Sequence, residues 1–369
     1  MYERISEVLA VRRVSGGAGD VLGRSRQGHP VRAFRFGKGT IRVSLLAGCH
    51  ADEPVGPRLL GHLVTYLASL PKDDDLLTRY QWWIVPHINP DGEQRNRAWY
   101  EEDADRYDIA RYLAHVVREP PGDDIEFGFP HSLMDDGARP ENRAVHAWWH
   151  TADGPFALHL SLHGMGFAAG PWFLIDPAWK NRCGSLMARC TSRVREMGYA
   201  LHDVERDGEK GFERIARGFC TRPNSVAMRA FFLAQEDAAT AELFRPSSME
   251  TIRSLGGDPL TLVSEMPLFI TPGVGDTLGP PDPIGLEWKE RHTAWQTRLG
   301  RGEDPGVIRD EADAAGLAAM VVRDQMELQW TFIVAGLEQV HALRGDHPSD
   351  GAGHEQHQPE RAHDDRTGR

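Results

Sequence analysis

Four residues of this chain have the types and positions to do chemistry together. His50 and Glu53 stand in the segment GCHADE, His163 in SLHGMG and Glu265 in VSEMP. Each follows a short apolar run (IRVSLLAG, FALHLSL or LTLVS) that predicts a buried strand. In an open α/β sheet, ligands and catalytic groups gather where strands end. Two imidazoles and a carboxylate make a three-ligand zinc site with one position left for water. A further carboxylate can take that water's proton. This set supports metal-assisted hydrolysis of an amide or ester.

The H-x-x-E spacing of His50 and Glu53 lets one tight turn deliver both to a single ion, and a distant histidine closes the site. The pair alone is a weak signal. Its setting is more specific, because it follows a strand and precedes a helix. His163 is flanked by Gly164 and Gly166, which leave room for close approach. The expected ligand set is His50, Glu53 and His163, holding about one zinc per chain.

The elements that must position these groups are legible. After Pro54, apolar residues at Val55, Leu59, Leu60, Leu63, Val64, Leu67 and Leu70 fall at intervals of three and four, which predicts an amphipathic helix. YQWWIVPHINPDG reads as a strand running into an Asn-Pro-Asp-Gly turn. Strand, helix and strand in alternation predict an α/β domain with a largely parallel sheet. Phe34 and Phe36 around Arg35 suggest an antiparallel edge strand. Helices are expected near 105–117, 140–150 and 177–197, and in SVAMRAFFLAQEDAATAELF. Residues 271–306, rich in Pro and Gly, read as an extended connection, and 307–343 as a long helical run. A single domain over 1–343 is expected, with its core at about 20–270 and a C-terminal helical extension. The last segment, 345–369, has no aliphatic residue larger than Ala and reads as a disordered tail.

The 369 residues are 40% hydrophobic and carry a formal charge of −12, which argues against a general nucleic-acid binder. The first twenty residues hold no long apolar run, so no signal peptide is expected. No stretch approaches the roughly 20 apolar residues that span a bilayer. Cys49, Cys183, Cys190 and Cys220 are too few for a disulfide framework, and a cytoplasmic setting is the default. Cys49 itself reads as a core residue turned away from His50 by strand alternation.

The stretches GRSRQGHPV, LLAGCHADEPVGPRLL, VPHINPDGEQRNR, LHLSLHG and LVSEMP together resemble, in the same order, the zinc carboxypeptidase family typified by carboxypeptidase A. That resemblance implies a mixed eight-stranded twisted sheet flanked by helices. It implies His50, Glu53 and His163 as zinc ligands and Glu265 as general base and acid. It also implies a hydrogen bond from His50 to Asp124, and an oxyanion-supporting arginine at Arg95 or Arg97, of which Arg95 is favoured.

The chain departs from the family where an Asn-Arg pair would grip a substrate carboxylate. Glu126 and Phe127 stand there instead, which removes the bidentate clamp. The expected substrate is therefore a small peptide or acylated amino compound with atypical end-group recognition, touching Arg97, Glu126 and Phe127. Two alternatives stay open. One is a deacylase of the aspartoacylase and succinylglutamate desuccinylase type. The other is a non-catalytic zinc-binding module that kept the fold.

Overall fold

A computed structural model describes residues 1–13, 19–101, 103–275, 278–279 and 282–344. The expected tail at 345–369 lies outside the described residues. Ten strands are described, β1 (Asp20–Arg24), β2 (Pro30–Phe36), β3 (Ile41–Ala47), β4 (Tyr80–Val85), β5 (Leu158–Ala168), β6 (Trp172–Ile175), β7 (Arg214–Ala216), β8 (Phe219–Thr221), β9 (Leu260–Ile270) and β10 (Ala318–Ala319). They form one mixed sheet in the order β1-β2-β4-β3-β5-β9-β6-β8-β7, with β10 pairing β9.

The centre is parallel, β4-β3-β5-β9, and β6 runs parallel to β8. The remaining pairings are antiparallel, so the sheet is only partly parallel. Ten strands exceed the implied eight, and the three shortest, β7, β8 and β10, have two or three residues each, too few for an alternation to be read. β2 is an interior strand rather than an edge, since it pairs with both β1 and β4.

β3, β5 and β9 are buried along most of their length because helices cover both faces. On one face Val43 and Leu45 join Leu59 and Leu63 of the Val55–Ser69 helix and Trp330 and Phe332 of the Val322–Arg344 helix. On the other, Leu46 joins Trp83, Phe129, Trp149 and Ile252. Alternate residues of one strand thus feed two cores.

Two segments differ from expectation. Residues 283–300 form a helix, not a connection: Pro283 occupies its first turn, Asp282 caps Ile284 N, and Trp288 and Trp295 are its buried residues, seven apart. The Pro and Gly that suggested a linker cluster before this helix. The run 307–343 is two helices, Pro305–Ala314 and Val322–Arg344, separated by Gly316 at φ 77°.

Candidate metal centre

The site is built just past the end of β3 and midway along β5 and β9, which continue beyond His163 and Glu265 rather than ending there as the sequence suggested. After β3, Gly48 adopts φ 72°, and a Cβ there would lie 2.5 Å from His87 Nδ1. This left-handed step breaks strand alternation. Cys49 therefore does not turn away from the site. Its Sγ, a Glu126 oxygen and a His163 nitrogen lie within 4.8 Å of one another.

The His50–Glu53 turn is braced from outside. Ala51 N donates to Glu119 Oε2 at 3.2 Å, and Asn89 Nδ2 donates to Glu119 Oε1 at 2.8 Å. Asn89 Oδ1 also caps the Pro90–Asn96 helix by accepting from Gly92 N at 2.9 Å. Asp91, next in that motif, accepts from Gln27 N at 3.1 Å and from the Ser25 hydroxyl, which ties the β1–β2 hairpin to the same point. The Asn-Pro-Asp-Gly segment is thus a structural brace. On the parallel strands β5 and β9, His163 is registered directly opposite Glu265.

His50, Glu53 and His163 converge. His50 Nδ1 is 2.6 Å from Glu53 Oε1 and 3.2 Å from His163 Nδ1, and His163 Nδ1 is 2.9 Å from Glu53 Oε2. Metal bonds of about 2.0–2.1 Å in a tetrahedron place ligand atoms about 3.3 Å apart, close to these separations. Glu53 Oε2 is buried without a hydrogen-bond partner, as a ligand oxygen awaiting an ion would be. The donor set and its spacing fit zinc.

Each histidine is backed by a carboxylate on its other nitrogen. His50 Nε2 lies 3.4 Å from Asp124 Oδ1, and His163 Nε2 lies 3.2 Å from Glu126 Oε2 and 2.7 Å from Ser161 Oγ. Such partners fix the tautomer that points the opposite nitrogen at a metal. Glu126, expected to meet substrate, lies against His163 and also lines the neighbouring cavity, and its Oε1 has no hydrogen-bond partner.

The charge balance is lopsided. Asp52, Glu53, Asp124, Glu126 and Glu265 surround two imidazoles and the Arg118 guanidinium. Burial opposes charging of His50 and His163, yet the neighbouring carboxylates outweigh it and hold both well above the usual imidazole range. Burial also opposes charging of Glu53, but the two histidines keep it well below the usual carboxylate range. Glu265 is pushed up to about 8, chiefly by burial and then by the Glu53 charge, with the nearby cations pulling the other way.

The structure does not bring Arg95 or Arg97 into this cluster. Arg95 pairs with Glu119, and Arg97 is exposed. The cation at the site is Arg118, with Nη2 3.6 Å from Glu53 Oε1 and Nε 3.7 Å from Asp52 Oδ1. Sequence reasoning missed Arg118 and Glu119 because REPPGD carries no spacing signal. Only the return of this loop to the His50 turn brings them in. Phe127 lines a cavity of about 230 Å³ that also contacts His50, His163 and Glu265.

Residues 19–173 match the family model described as zinc carboxypeptidase. The chain is 28% identical over 156 residues to carboxypeptidase D of Drosophila melanogaster, covering 39% of this chain and 11% of that protein. It is 29% identical over 133 residues to carboxypeptidase M of Mus musculus, covering 34% and 27% respectively. The matched stretch thus spans about a quarter or less of these relatives. Among solved structures, carboxypeptidase A of Helicoverpa armigera is similar at TM-score 0.48 and 12% identity, over 92% of this chain and 71% of that one. A metallo-carboxypeptidase of Burkholderia cenocepacia is similar at TM-score 0.44 and 15% identity, over 92% and 68%. No helix among the described residues is long and apolar enough to cross a membrane.

Proposed function

We propose that this chain, a member of the zinc carboxypeptidase family through its residues 19–173, hydrolyses an amide bond in a small peptide or acylated amino compound. The observation that carries the reading is the convergence of His50 Nδ1, His163 Nδ1 and Glu53 beside Glu265. Zinc held by His50, Glu53 and His163 would supply a water acidic enough to react near neutrality and a Lewis acid for the substrate carbonyl.

The chain's own groups do the rest. Glu265, half-buried midway along β9 and facing the cavity, accepts the proton of the attacking water and returns it to the departing nitrogen. Arg118, anchored against Asp52 and Glu53, offers a guanidinium to the oxygen that gains negative charge. Asp124 and Glu126 hold the two imidazoles in register. Residues 1–343 act as one catalytic unit. The four cysteines, all buried and unpaired, support a reducing, cytoplasmic setting.

The test is metal analysis of untagged protein, followed by a panel of short peptides and N-acyl amino acids. About one zinc per chain with turnover of an amide is the expected result. A metal-free protein, or a zinc protein that cleaves none of the panel, would overturn the reading.

A further inference from the structure

His163 has two ring nitrogens, and the zinc site uses one of them. Nδ1 faces His50 and Glu53. Nε2 faces a different set of donors, Ser161 Oγ at 2.7 Å and Glu126 Oε2 at 3.2 Å. Cys49, just past β3, closes this second set, with its Sγ 3.8 Å from Ser161 Oγ. One ligand atom each from Cys49, Glu126 and His163 lies within 4.8 Å of the other two. All four residues are more than nine-tenths buried. The corresponding nitrogen of His50 meets Asp124 at 3.4 Å, and among the described residues no third donor joins that pair within metal range.

Two further observations point to a cation here. Glu126 Oε1 is buried without a hydrogen-bond partner, so His163 alone does not satisfy this carboxylate. A buried acceptor left in that state is costly until something answers it. The carboxylates of Asp52, Glu53, Asp124, Glu126 and Glu265 also outnumber the positive charges of Arg118 and one divalent ion. Excess buried negative charge is relieved by a second cation. An ion can reach the group past Glu126, which lines the cavity, whereas Cys49 and Ser161 are not part of that lining. Thiolate, imidazole and carboxylate together suit zinc and its heavier congeners, and a thiolate disfavours magnesium and calcium, which take oxygen ligands.

We propose that Cys49 Sγ, Glu126 and His163 Nε2 form a second metal site, which takes a thiophilic divalent cation of the zinc and cadmium class. His163 then bridges the two ions as an imidazolate, and Ser161 Oγ stands beside the new ion as a neutral fourth donor. The inference rests on the assignment of His50, Glu53 and His163 to the first ion, and not on hydrolysis. On binding, bonds form from the metal to sulfur, oxygen and nitrogen. The thiol proton and the remaining imidazole proton leave to solvent, and no electron changes hands. Tetrahedral zinc with its usual bond lengths needs sulfur and nitrogen about 3.6 Å apart. From a separation of no more than 4.8 Å the thiol closes that gap with a small side-chain rotation. The second ion binds more weakly than the first, because two like charges share one imidazole. The protein as purified therefore carries the first ion, and the second loads when metal is supplied in excess.

The probe is cadmium alone, added in excess to the full chain stripped of metal and kept reduced. Binding is read as metal content after gel filtration and as the ultraviolet charge-transfer absorption of a thiolate–cadmium bond. Three proteins are compared: wild type, Cys49→Ser and Glu126→Gln, with circular dichroism to establish folding. Wild type is expected to hold one ion more than Cys49→Ser and to show the absorption, which Cys49→Ser should lack. Glu126→Gln can still accept from His163 Nε2, so it should keep the first ion while its affinity for the second falls by about tenfold or more. Equal metal content in wild type and Cys49→Ser would overturn the proposal, as would an absorption that survives that substitution. If Cys49→Ser does not fold, Glu126→Gln decides alone: unchanged affinity for the second ion defeats the site, and its loss supports it. Turnover separates this claim from the hydrolase reading. A Cys49-dependent ion without cleavage of any amide would sink that reading alone, and cleavage with equal metal content would sink the second site alone. A wild type that binds no cadmium would defeat both.

Discussion

Two rows of residues on the same strands and the same face of the sheet have opposite fates. In the lower row His159 of β5 is registered opposite Thr261 of β9; four residues on, His163 is registered opposite Glu265. At about 3.3 Å per residue the rows are some 13 Å apart. Below, every polar group is answered. His159 lies between Ser44 Oγ at 3.0 Å and Ser248 Oγ at 3.2 Å. Asp176 Oδ2 accepts from Thr261 Oγ1 at 2.7 Å, Arg253 Nη1 at 3.0 Å and Arg222 Nη2 at 3.3 Å, while its Oδ1 caps Ala178 N. Above, buried oxygens of Asp52, Glu53 and Glu126 have no hydrogen-bond partner, and carboxylates outnumber cations. Similar residue types serve as structure where their hydrogen bonds close, and as a site where they leave room for an ion and a substrate.

The sharpest break between the rows is a swap of Glu265 for Gln. The amide keeps the volume and removes the base, so hydrolysis should fall by about 10²–10⁴-fold. Zinc content and melting temperature should hardly change, which activity assays beside metal analysis would read. Full activity in Glu265→Gln would remove the mechanism. In the lower row the cost should appear in stability instead. Asp176→Ala strands Arg222, a guanidinium 4% exposed, without its carboxylate. Breaking a buried pair in this way costs about 3–5 kcal/mol. Denaturant unfolding should register that loss while zinc binding by the folded fraction persists. Loss of zinc with stability intact would mean the rows are not separate.

The upper row was the more legible in sequence, and the reason is chemical. A metal site of this kind needs particular residue types, so His50, Glu53, His163 and Glu265 stand out after their apolar runs, although β5 and β9 continue past His163 and Glu265. What supports them did not stand out. Arg118 reaches Glu53 through a loop whose path no local pattern records, and Arg95, eligible by position, is drawn off by Glu119. Glu126 was singled out as a substrate contact because a missing Asn-Arg pair drew attention to its position, and it does line the cavity. Its orientation toward His163 is a tertiary fact. For the fold, the apolar central strands and the helix after Pro54 could be read from period alone. The helix at 283–300 could not, since its two buried tryptophans are sparse and the Pro and Gly before it dominate the local signal.

Glu126 offers a finer comparison within the upper row. If it and Asp124 both orient histidines, Glu126→Ala and Asp124→Ala should each weaken zinc by about 10–100-fold. Competition against a chelator of known affinity would measure this. Glu126→Gln should recover part of the loss, because an amide oxygen can still accept from His163 Nε2. A Glu126→Ala protein with wild-type zinc affinity but altered substrate preference would return this residue to the substrate-facing role first expected of it.

The smallest effect concerns the lower histidine. Burial holds the His159 pKa down to about 3; the charges of Arg222 and His163 add to this, and the contact with Ser44 opposes it. The Trp149 ring, centred 5.5 Å away, closes the remaining side. In the unfolded chain this imidazole would take a proton near pH 6.5, and in the folded chain it stays neutral. Below pH 6.5 the unfolded state therefore binds the extra proton, and stability falls as pH falls toward the folded value. For one group, the loss between pH 6.5 and 5.5 is about 1 kcal/mol. His159→Gln keeps groups able to meet Ser44 and Ser248 but cannot titrate, so the difference between the two proteins should shrink by that amount across the same interval. A difference that stays constant with pH would show that His159 is charged in the folded protein. The lower row would then carry an unanswered charge of its own, and the contrast with the metal centre would no longer hold.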